Sequence, residues 1–531
     1  MQTHPILKNK YYLYLTEFFA GMAVMAVELG ASRLLAPYFS SSQIVWTIII
    51  GTIMIAMALG NLLGGRSADR DPNPDRLYRR ILIAAVWIAA IPVLGKYIIL
   101  LISGALILTV DTNLLTLAAF FACMVLFVYP LLLLGTVTPS LAKYCTDNLE
   151  NNGKIIGTLG AFNTIGSILG TFLPTFVTIP AVGTAITFLI FSSILLLIGV
   201  IYFLCSGRKK KPAALACVLF FICSVLGSSN SFAFWNKNLL YEGESIYNYL
   251  QVQDTKDSRI LSTNVLFGVQ SIMRKDSGLT GMYYDYALAA PVMVSTAAPS
   301  ILVLGMGTGT FASQCSRYFP QASIEGVEID PKIAELAHTY FSLPANIPIT
   351  AYDGRAYLAA SDKLYDVIMV DAYQDITIPF HMSSQEFFTL VRRHLKPGGV
   401  MVVNLNMHSD RPDSINQYLE DTIASVFPHV AYTDISGMTN RELFASDTAS
   451  PQQLLAAHSG KLKNAGLRSL MQETETRLQP YENSGQRLLT DDKAPVELLG
   501  MRMLDELIQS GMADAKRELR REPLTDVLKS L

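Results

Sequence analysis

The sequence is poor in charge and in the cysteine patterns that mark stapled or metal-bound folds. Charged residues make up 16% of its 531 residues, against about a quarter in an average soluble protein. The six cysteines show no CxxC pair and no metal-ligand spacing, which excludes a disulfide scaffold and predicts no bound metal. The net charge of −2 gives no basic excess, so we expect no nucleic-acid partner.

Long apolar runs are present, and they concentrate in the first 230 residues. A helix that crosses a bilayer needs about 20 apolar residues, and seven runs approach that length, the last being the shortest. We therefore predict that residues 1–230 form a multi-pass α-helical membrane domain of about seven helices, with the lipid bilayer as its partner. The runs centre on 12–35, 43–64, 81–104, 114–135, 155–179, 184–204 and 213–229.

The loops between these runs differ in basic residues. Lysine and arginine occur before the first run and after the second, fourth and sixth, but not after the first, third and fifth. This alternation predicts a cytoplasmic N-terminus. Seven crossings would place the remaining chain outside the cytoplasm.

Two charged residues and a set of glycines stand out inside the apolar runs. Charges at membrane depth are costly and often functional, so Glu28 is a hypothetical cation or amine site, with a structural ion pair to Arg33 as the alternative. Gly160, Gly166 and Gly170 are spaced for close helix packing.

The pattern changes after residue 236. Strand-length apolar runs, such as those at 301–305, 365–371 and 399–405, alternate with helical stretches. This rhythm predicts an α/β domain with a mainly parallel sheet. We assign 299–531 to a Rossmann-like, methyltransferase-type domain with C-terminal helices, and 236–298 to a small β-rich region that leads into it.

A glycine-rich turn and three acids follow the predicted strands. Gly305, Gly307 and Gly309 would let the backbone approach a ligand closely. Glu328 ends the second strand, about 20 residues later, where an acid accepts bonds from ribose hydroxyls. The pair 353–354 (Asp-Gly) ends the third strand, where an adenine amine could be bound. The pattern favours an adenosine-type cofactor, with an ordinary turn as the alternative.

Two features choose among cofactors. Position 310 is Thr, so the final glycine of a GxGxxG motif is lacking, and a fourth strand ends in Asp371. This layout favours S-adenosylmethionine or its decarboxylated form over a dinucleotide. Asp371 could take the proton of an amine nucleophile, and Tyr373 and Asp375 in the next loop could bind that amine. The alternative for this loop is an ordinary surface segment.

Residues 241–405 resemble the spermidine synthases, and nearly the whole chain resembles the bacterial membrane-bound spermidine synthase-like family. Tyr284 is similar to the tyrosine of that family's Tyr-His-Glu stretch, and Gln270 lies in a hairpin similar to the one that precedes its cofactor. The other motifs that carry the resemblance are AVELGASRLLAPYFSSSQIVW, GNLLGGRSADR, AFNTIGSILGTFLPTFVTIPAVG and TDDKAPVE.

The resemblance implies a membrane-bound aminopropyltransferase of the bacterial inner membrane. It would move an aminopropyl group from decarboxylated S-adenosylmethionine to an amine such as putrescine, with Asp371 as the base. Substrate contacts would come from Tyr284, Tyr373 and Asp375. The cofactor contacts would come from Gln270, Gly305, Gly307, Gly309, Glu328, Asp353 and Gly354. The chain departs from the family at Thr308, where an Asp is usual.

Alternatives stay open at this point. Methyl transfer at the membrane, or a transporter or sensor whose soluble domain binds a nucleoside or polyamine without chemistry, also fit the residues. An adenosyl cofactor favours a cytoplasmic catalytic domain whereas loop charge favours the outside, so its side is undecided, as is a homodimer.

The two parts of the chain differ in charge. Residues 1–230 contain 15 Lys and Arg and 8 Asp and Glu, whereas residues 231–531 contain 26 and 35. The acidic second part would attract polyamines in preference to nucleic acid.

Overall fold

The chain forms two compact units. One comprises Met1–Lys237 and Gly243–Tyr249, and the other comprises Asn238–Glu242 and Leu250–Leu531. The structure, a computed structural model, describes residues 9–39, 42–110, 113–145, 152–206, 210–228, 231–233, 236, 238–264, 269–372, 378–406, 409 and 411–519.

The first unit is helical. Two π-helical segments, Met124–Val128 and Pro174–Thr178, continue the helices before them. Its α-helices are α1 (Lys10–Phe39), α2 (Gln43–Arg70), α3 (Pro74–Thr109), α4 (Leu114–Cys123), α5 (Tyr129–Gly135), α6 (Val137–Cys145), α7 (Asn152–Leu173), α8 (Ile179–Cys205) and α9 (Lys211–Gly227).

Five helical stretches of the described chain are long and apolar enough to cross a membrane. The fifth, Asn152–Cys205, contains two of the seven predicted runs. Gly183 separates them, because its φ of 79° and ψ of 171° break the helix. The seventh run forms α9, a shorter apolar helix of 17 residues.

Glycines bring α1 and α7 into direct backbone contact. A Cβ on Gly166 would collide with the carbonyl oxygen of Phe18, and a Cβ on Gly170 with that of Met22. Close packing of this kind needs residues without side chains. Two of the three glycines whose spacing indicates close packing thus lie in this contact, whereas a Cβ on Gly160 would have open space around it.

The second unit contains two sheets. A small sheet has the strand order β1-β2-β3-β4, and the β2–β3 and β3–β4 pairs are antiparallel. An eight-stranded sheet has the order β12-β10-β11-β9-β8-β5-β6-β7. The strands are β1 (Leu239–Glu244), β2 (Tyr249–Asp254), β3 (Ser258–Ser262), β4 (Ser271–Arg274), β5 (Ser300–Leu304), β6 (Ser323–Glu328), β7 (Ile349–Ala351), β8 (Tyr365–Val370), β9 (Leu395–Leu405), β10 (His429–Asp434), β11 (Arg441–Ser446) and β12 (Gln479–Pro480).

The large sheet changes direction at β9. Strands β5 to β9 pair in parallel, whereas β9–β11, β11–β10 and β10–β12 pair antiparallel. The Rossmann-like α/β prediction is confirmed, with a mixed sheet where a mainly parallel one was expected. The reversal puts the start of β11 at the same edge as the carboxyl ends of the parallel strands.

Helices cover both faces of this sheet. Alternate residues of β5 enter different cores: Ile301 and Val303 pack on one face, and Leu302 and Leu304 on the other. Strands buried on both faces have continuous apolar sequences, which explains the runs seen in the sequence. The helices are α10 (Tyr283–Ala287), α11 (Ala289–Met293), α12 (Thr310–Tyr318), α13 (Pro331–Tyr340), α14 (Gly354–Ala359), α15 (Gln385–Arg393), α16 (Ile415–Val426), α17 (Pro451–His458), α18 (Ala465–Arg477) and α19 (Val496–Leu519).

Candidate active site at the carboxyl edge of the large sheet

A glycine-rich turn connects β5 to α12. Gly305, Gly307 and Gly309 have φ values of 82°, 55° and 79°, a region that side chains disfavour. A Cβ on Gly305 would lie 2.5 Å from the carbonyl oxygen of Asp371, and one on Gly307 would lie 2.6 Å from the Ser271 hydroxyl. The turn therefore contacts the backbone that follows β8 and leaves a side-chain-free surface at the sheet edge.

Glu328 ends β6 as a buried carboxyl beside this turn. Its oxygens accept hydrogen bonds from the backbone amides of Gly307 at 2.8 Å and Asp330 at 3.1 Å. Burial raises its pKa to about 7, although these amide donors act in the opposite direction. A carboxylate has about four acceptor positions, so Glu328 keeps acceptor capacity for the hydroxyls of a ribose.

Asp353 lies at the start of α14, just before Gly354. One carboxylate oxygen accepts from the amide of Ala356 at 2.8 Å and caps the helix, and the other lies 2.9 Å from Nε2 of His381. Both oxygens thus have protein partners. The adenine contact expected of Asp353 stays a prediction.

Asp371 follows β8 at the centre of this edge and is partly exposed. Asn404 donates to one carboxylate oxygen and the Tyr283 hydroxyl to the other, each at 2.8 Å. Desolvation raises its pKa to about 7; the two donors lower it, and the charge of Glu328 adds to the rise. Asp371 is therefore held in one orientation with a proton affinity suited to acid–base chemistry near neutral pH.

Glu442 is a second carboxyl close to Asp371, and it was not predicted. It is fully buried on β11, directly opposite Asn404 of β9 in the antiparallel register. Neither of its carboxyl oxygens has a hydrogen-bond partner in the described structure. Burial, with the nearby charge of Asp371, raises its pKa well above the ordinary value.

Neighbouring polar residues orient Asn404. The Asn440 side-chain amide donates to Oδ1 of Asn404 at 2.9 Å, which leaves the amide nitrogen of Asn404 directed at Asp371. Buried polar groups are costly unless paired, and this chain of amides pairs its own members. Glu442, next to it, has no hydrogen-bond partner among the residues that the structure describes.

Tyr283 rather than Tyr284 contacts Asp371. The Tyr284 hydroxyl donates to the carbonyl oxygen of Gln270 at 2.8 Å, so it supports the hairpin that holds Gln270. Aligning residues 283–285 with the family's Tyr-His-Glu stretch would keep an acid, Asp285, in third place. With this one-residue shift, which the sequence itself allows, Tyr283 takes the place of the family's tyrosine.

The loop after Asp371 was expected to bind substrate. Tyr373 and Asp375 lie outside the described residues. Their substrate roles stay predictions.

Three carboxyls thus meet at one edge: Glu328, Asp371 and Glu442. None of them forms an ion pair with a cationic side chain in the described chain. Buried anionic groups require cations or protons, so the edge is suited to a cationic ligand. The sequence signal for Glu442 is weak: it follows Arg441 and directly precedes the short apolar run Leu443–Ala445.

Comparison with known proteins gives a consistent assignment. The profile of the spermine/spermidine synthase domain matches residues 282–436. Over 347 residues the chain is 52% identical to the "Probable polyamine aminopropyl transferase" of Bifidobacterium longum (strain NCC 2705), which covers 62% of this chain and 78% of that protein. It is 26% identical over 293 residues to the polyamine aminopropyltransferase of Vibrio vulnificus (strain CMCP6), covering 52% of this chain and 96% of that protein.

A solved structure is also similar. The crystal structure of a probable spermidine synthase from Corynebacterium glutamicum ATCC 13032 aligns with a TM-score of 0.39 and 22% sequence identity. The alignment covers 47% of this chain and 96% of that one.

Proposed function

The chain belongs to the polyamine aminopropyltransferase family, and we propose that Asp371 is the general base of its transfer reaction. The donor would be decarboxylated S-adenosylmethionine, which supplies a sulfonium-activated carbon for attack by an amine nitrogen. The acceptor would be an amine such as putrescine. The observation that carries the proposal is the partly exposed carboxylate of Asp371, held by Tyr283 and Asn404.

The base is needed because of the acceptor's charge. An alkylamine has a pKa near 10, as lysine does, so it is protonated and non-nucleophilic at neutral pH. Asp371, with a pKa of about 7, would accept one ammonium proton as the nitrogen attacks. Hydrogen bonds from Tyr283 and Asn404 keep both carboxylate oxygens in place, which lowers the cost of orienting the base.

Glu442 would bind the acceptor as well. A diamine carries two ammonium groups, and the one that does not react needs an anionic partner in a buried pocket. Glu442 is buried, anionic when deprotonated and without a protein partner among the described residues. Its oxygens would accept hydrogen bonds from that second ammonium group.

The donor would lie along the parallel half of the sheet. The turn at 305–309 offers glycine backbone without Cβ atoms, and Glu328 retains acceptor capacity for ribose hydroxyls. We also propose that Asp353, Gly354 and Gln270 contact the donor, as the sequence predicts. Tyr284, Tyr373 and Asp375 keep their predicted substrate contacts.

We place the helical unit in a lipid bilayer, the bacterial inner membrane by family resemblance. Its helices present large apolar side chains outward: Met54 is 65% exposed, Phe176 70% and Phe221 68%. Many exposed large apolar side chains are unfavourable in water. A bilayer would cover them.

Product analysis tests the transfer reaction. We expect the purified full chain, given decarboxylated S-adenosylmethionine and putrescine, to form spermidine and methylthioadenosine in equal amounts by mass spectrometry. With S-adenosylmethionine we expect no methylated amine and no S-adenosylhomocysteine. S-adenosylhomocysteine formed with a methylated acceptor would instead identify a methyltransferase.

A reporter fusion tests the side of the catalytic unit. Helix α9 has 17 residues, which at 1.5 Å per residue span about 26 Å, less than the hydrocarbon core of about 30 Å. We expect α9 not to cross, so that the catalytic unit faces the cytoplasm with its donor. A reporter active only in the cytoplasm should therefore give signal both at residue 207 and after residue 236. Signal at 207 alone would show that α9 crosses.

A further inference from the structure

The helical unit contains a buried carboxyl that is not part of the candidate active site. Glu17 of α1 is fully buried. One of its oxygens accepts hydrogen bonds from the Thr138 hydroxyl of α6 at 2.6 Å and from the Asn163 amide of α7 at 2.8 Å. Its other oxygen, Oε2, has no partner in the described structure. Glu17 is therefore a half-satisfied carboxyl enclosed by three helices.

The packing of α1 against α7 creates this enclosure. A Cβ on Gly21, one helical turn after Glu17, would lie 2.5 Å from the carbonyl oxygen of Asn163. Glycines at 166 and 170 continue the close contact along α7. Asn163 is thus held next to Glu17 by backbone packing, and its contact with the carboxyl is built into the fold.

No cationic side chain of the described residues neutralises the charge of Glu17. No Lys, Arg or His on the described parts of α2, α3, α6, α7 or α8 pairs with it. Two neutral tyrosines are also bonded in this region: the Tyr78 hydroxyl lies 3.3 Å from that of Thr16, and the Tyr12 hydroxyl donates to the carbonyl oxygen of Ile198 at 2.7 Å. An ionised carboxylate buried without a counter-charge is strongly unfavourable, so Glu17 must hold a proton or another cation.

The neighbours restrict which cation can bind. Thr138 and Asn163 both turn hydrogen-bond donors toward Glu17. Sodium or a divalent ion requires several oxygen ligands at once, whereas these two side chains present hydrogen-bond donors to the carboxylate. A proton or an ammonium group is itself a donor, and Oε2 of Glu17 is the acceptor without a partner in the described structure.

We propose that Glu17 is a cation site of the helical unit that exchanges a bound proton for an alkylammonium group. The protonated carboxyl releases its proton to solvent, and the ammonium then donates to the carboxylate, so charge and protons balance. The choice of an alkylammonium ligand rests on the proposed function of the catalytic unit. The need for a cation rests on Glu17 itself.

Proton release on amine binding tests the exchange. The full chain in detergent carries Asp371→Asn and Glu442→Gln, so that neither acid proposed to bind putrescine in the second unit can release a proton. It is mixed with putrescine in weakly buffered indicator solution. We expect protons to be released, and the release to be lost when Glu17→Gln is added. Gln keeps an acceptor for Thr138 and Asn163, so the fold should persist, and Glu28→Gln on the same helix should retain the release.

Two further measurements give independent readouts. Asn163→Leu removes a donor that stabilises the carboxylate, so half-maximal release should need more putrescine. Sodium chloride at equal concentration should release no protons. In the chain with Asp371 intact, Glu17→Gln should leave spermidine formation unchanged.

The outcomes separate this proposal from the proposed function. Measured in the Asp371→Asn, Glu442→Gln chain, equal release with and without Glu17→Gln, no release at all, or equal release by sodium would each overturn the cation site. Absence of spermidine formation, with Glu17-dependent release intact, would count against the transfer reaction alone.

Discussion

Replacing Asp371 by Asn is expected to lower kcat for aminopropyl transfer by about 10²- to 10⁴-fold, the usual contribution of a general base. Asn keeps the shape and can still bond to Tyr283 or Asn404, but it cannot take the ammonium proton. Steady-state kinetics with putrescine measure the loss. The KM of the donor should change little, since its predicted contacts lie elsewhere.

Asp366 provides the matched control. It lies on β8, the strand that Asp371 follows, and its carboxylate accepts from Lys396 and Ser300 at 2.8 Å each. Asp366→Asn should leave kcat unchanged, although it weakens that ion pair. If Asp371→Asn retained wild-type turnover, another group would have to be the base.

The pH dependence of kcat/KM is a second test of Asp371 as the general base. Because Asp371 acts only when deprotonated, kcat/KM should rise with pH through about 7. Tyr283→Phe removes a donor to the carboxylate, which raises the pKa of Asp371 and should move this limb to higher pH. The folded state therefore binds the Asp371 proton more tightly than the unfolded state does. As the pH rises from about 4 to about 7, the contribution of Asp371 to the free energy of unfolding falls.

Removing Glu442 is expected to stabilise the protein while weakening it as an enzyme. Glu442→Leu replaces a buried carboxyl without a partner by an apolar side chain, which should raise the free energy of unfolding by about 1–3 kcal/mol. Glu442→Gln removes the charge that would hold the second ammonium group. Its KM for putrescine should rise by about 10- to 100-fold, the value of one charge-assisted hydrogen bond.

Glu420 is the contrasting case. It is equally buried, but Arg441 donates to it at 2.8 Å. Glu420→Leu should lower the midpoint of thermal unfolding, because it leaves a buried guanidinium with one partner fewer. If Glu442→Leu lowered the midpoint as well, Glu442 would be a structural carboxyl with a partner of its own.

The sequence predicts those parts of the site that follow from local pattern. The glycine turn, Glu328 and Asp371 each come directly after a buried strand, and parallel strands bring their carboxyl ends together. Glu442 depends instead on the antiparallel register between β9 and β11, which no local pattern specifies. The sequence prediction named Tyr284 as a substrate residue and did not single out Tyr283, whose hydroxyl contacts Asp371.

The helical unit shows the same limit. Glu17 and Glu28 lie in one apolar run, and the sequence alone favoured Glu28 as a cation site. In the structure Glu17 is fully buried, whereas Glu28 is only partly buried. Glu17 lies beside the close contact between α1 and α7 that Gly21, Gly166 and Gly170 allow, and that contact exists only once the two helices are packed.

The reversal of strand direction at β9 has an evolutionary consequence. The groups proposed to hold the donor belong to the parallel half of the sheet, whereas Glu442 belongs to the antiparallel half. A substitution on β11 can alter the choice of acceptor without touching the turn that holds the donor. Descendants of such a fold could therefore diversify their amines while inheriting one unchanged alkylating reagent.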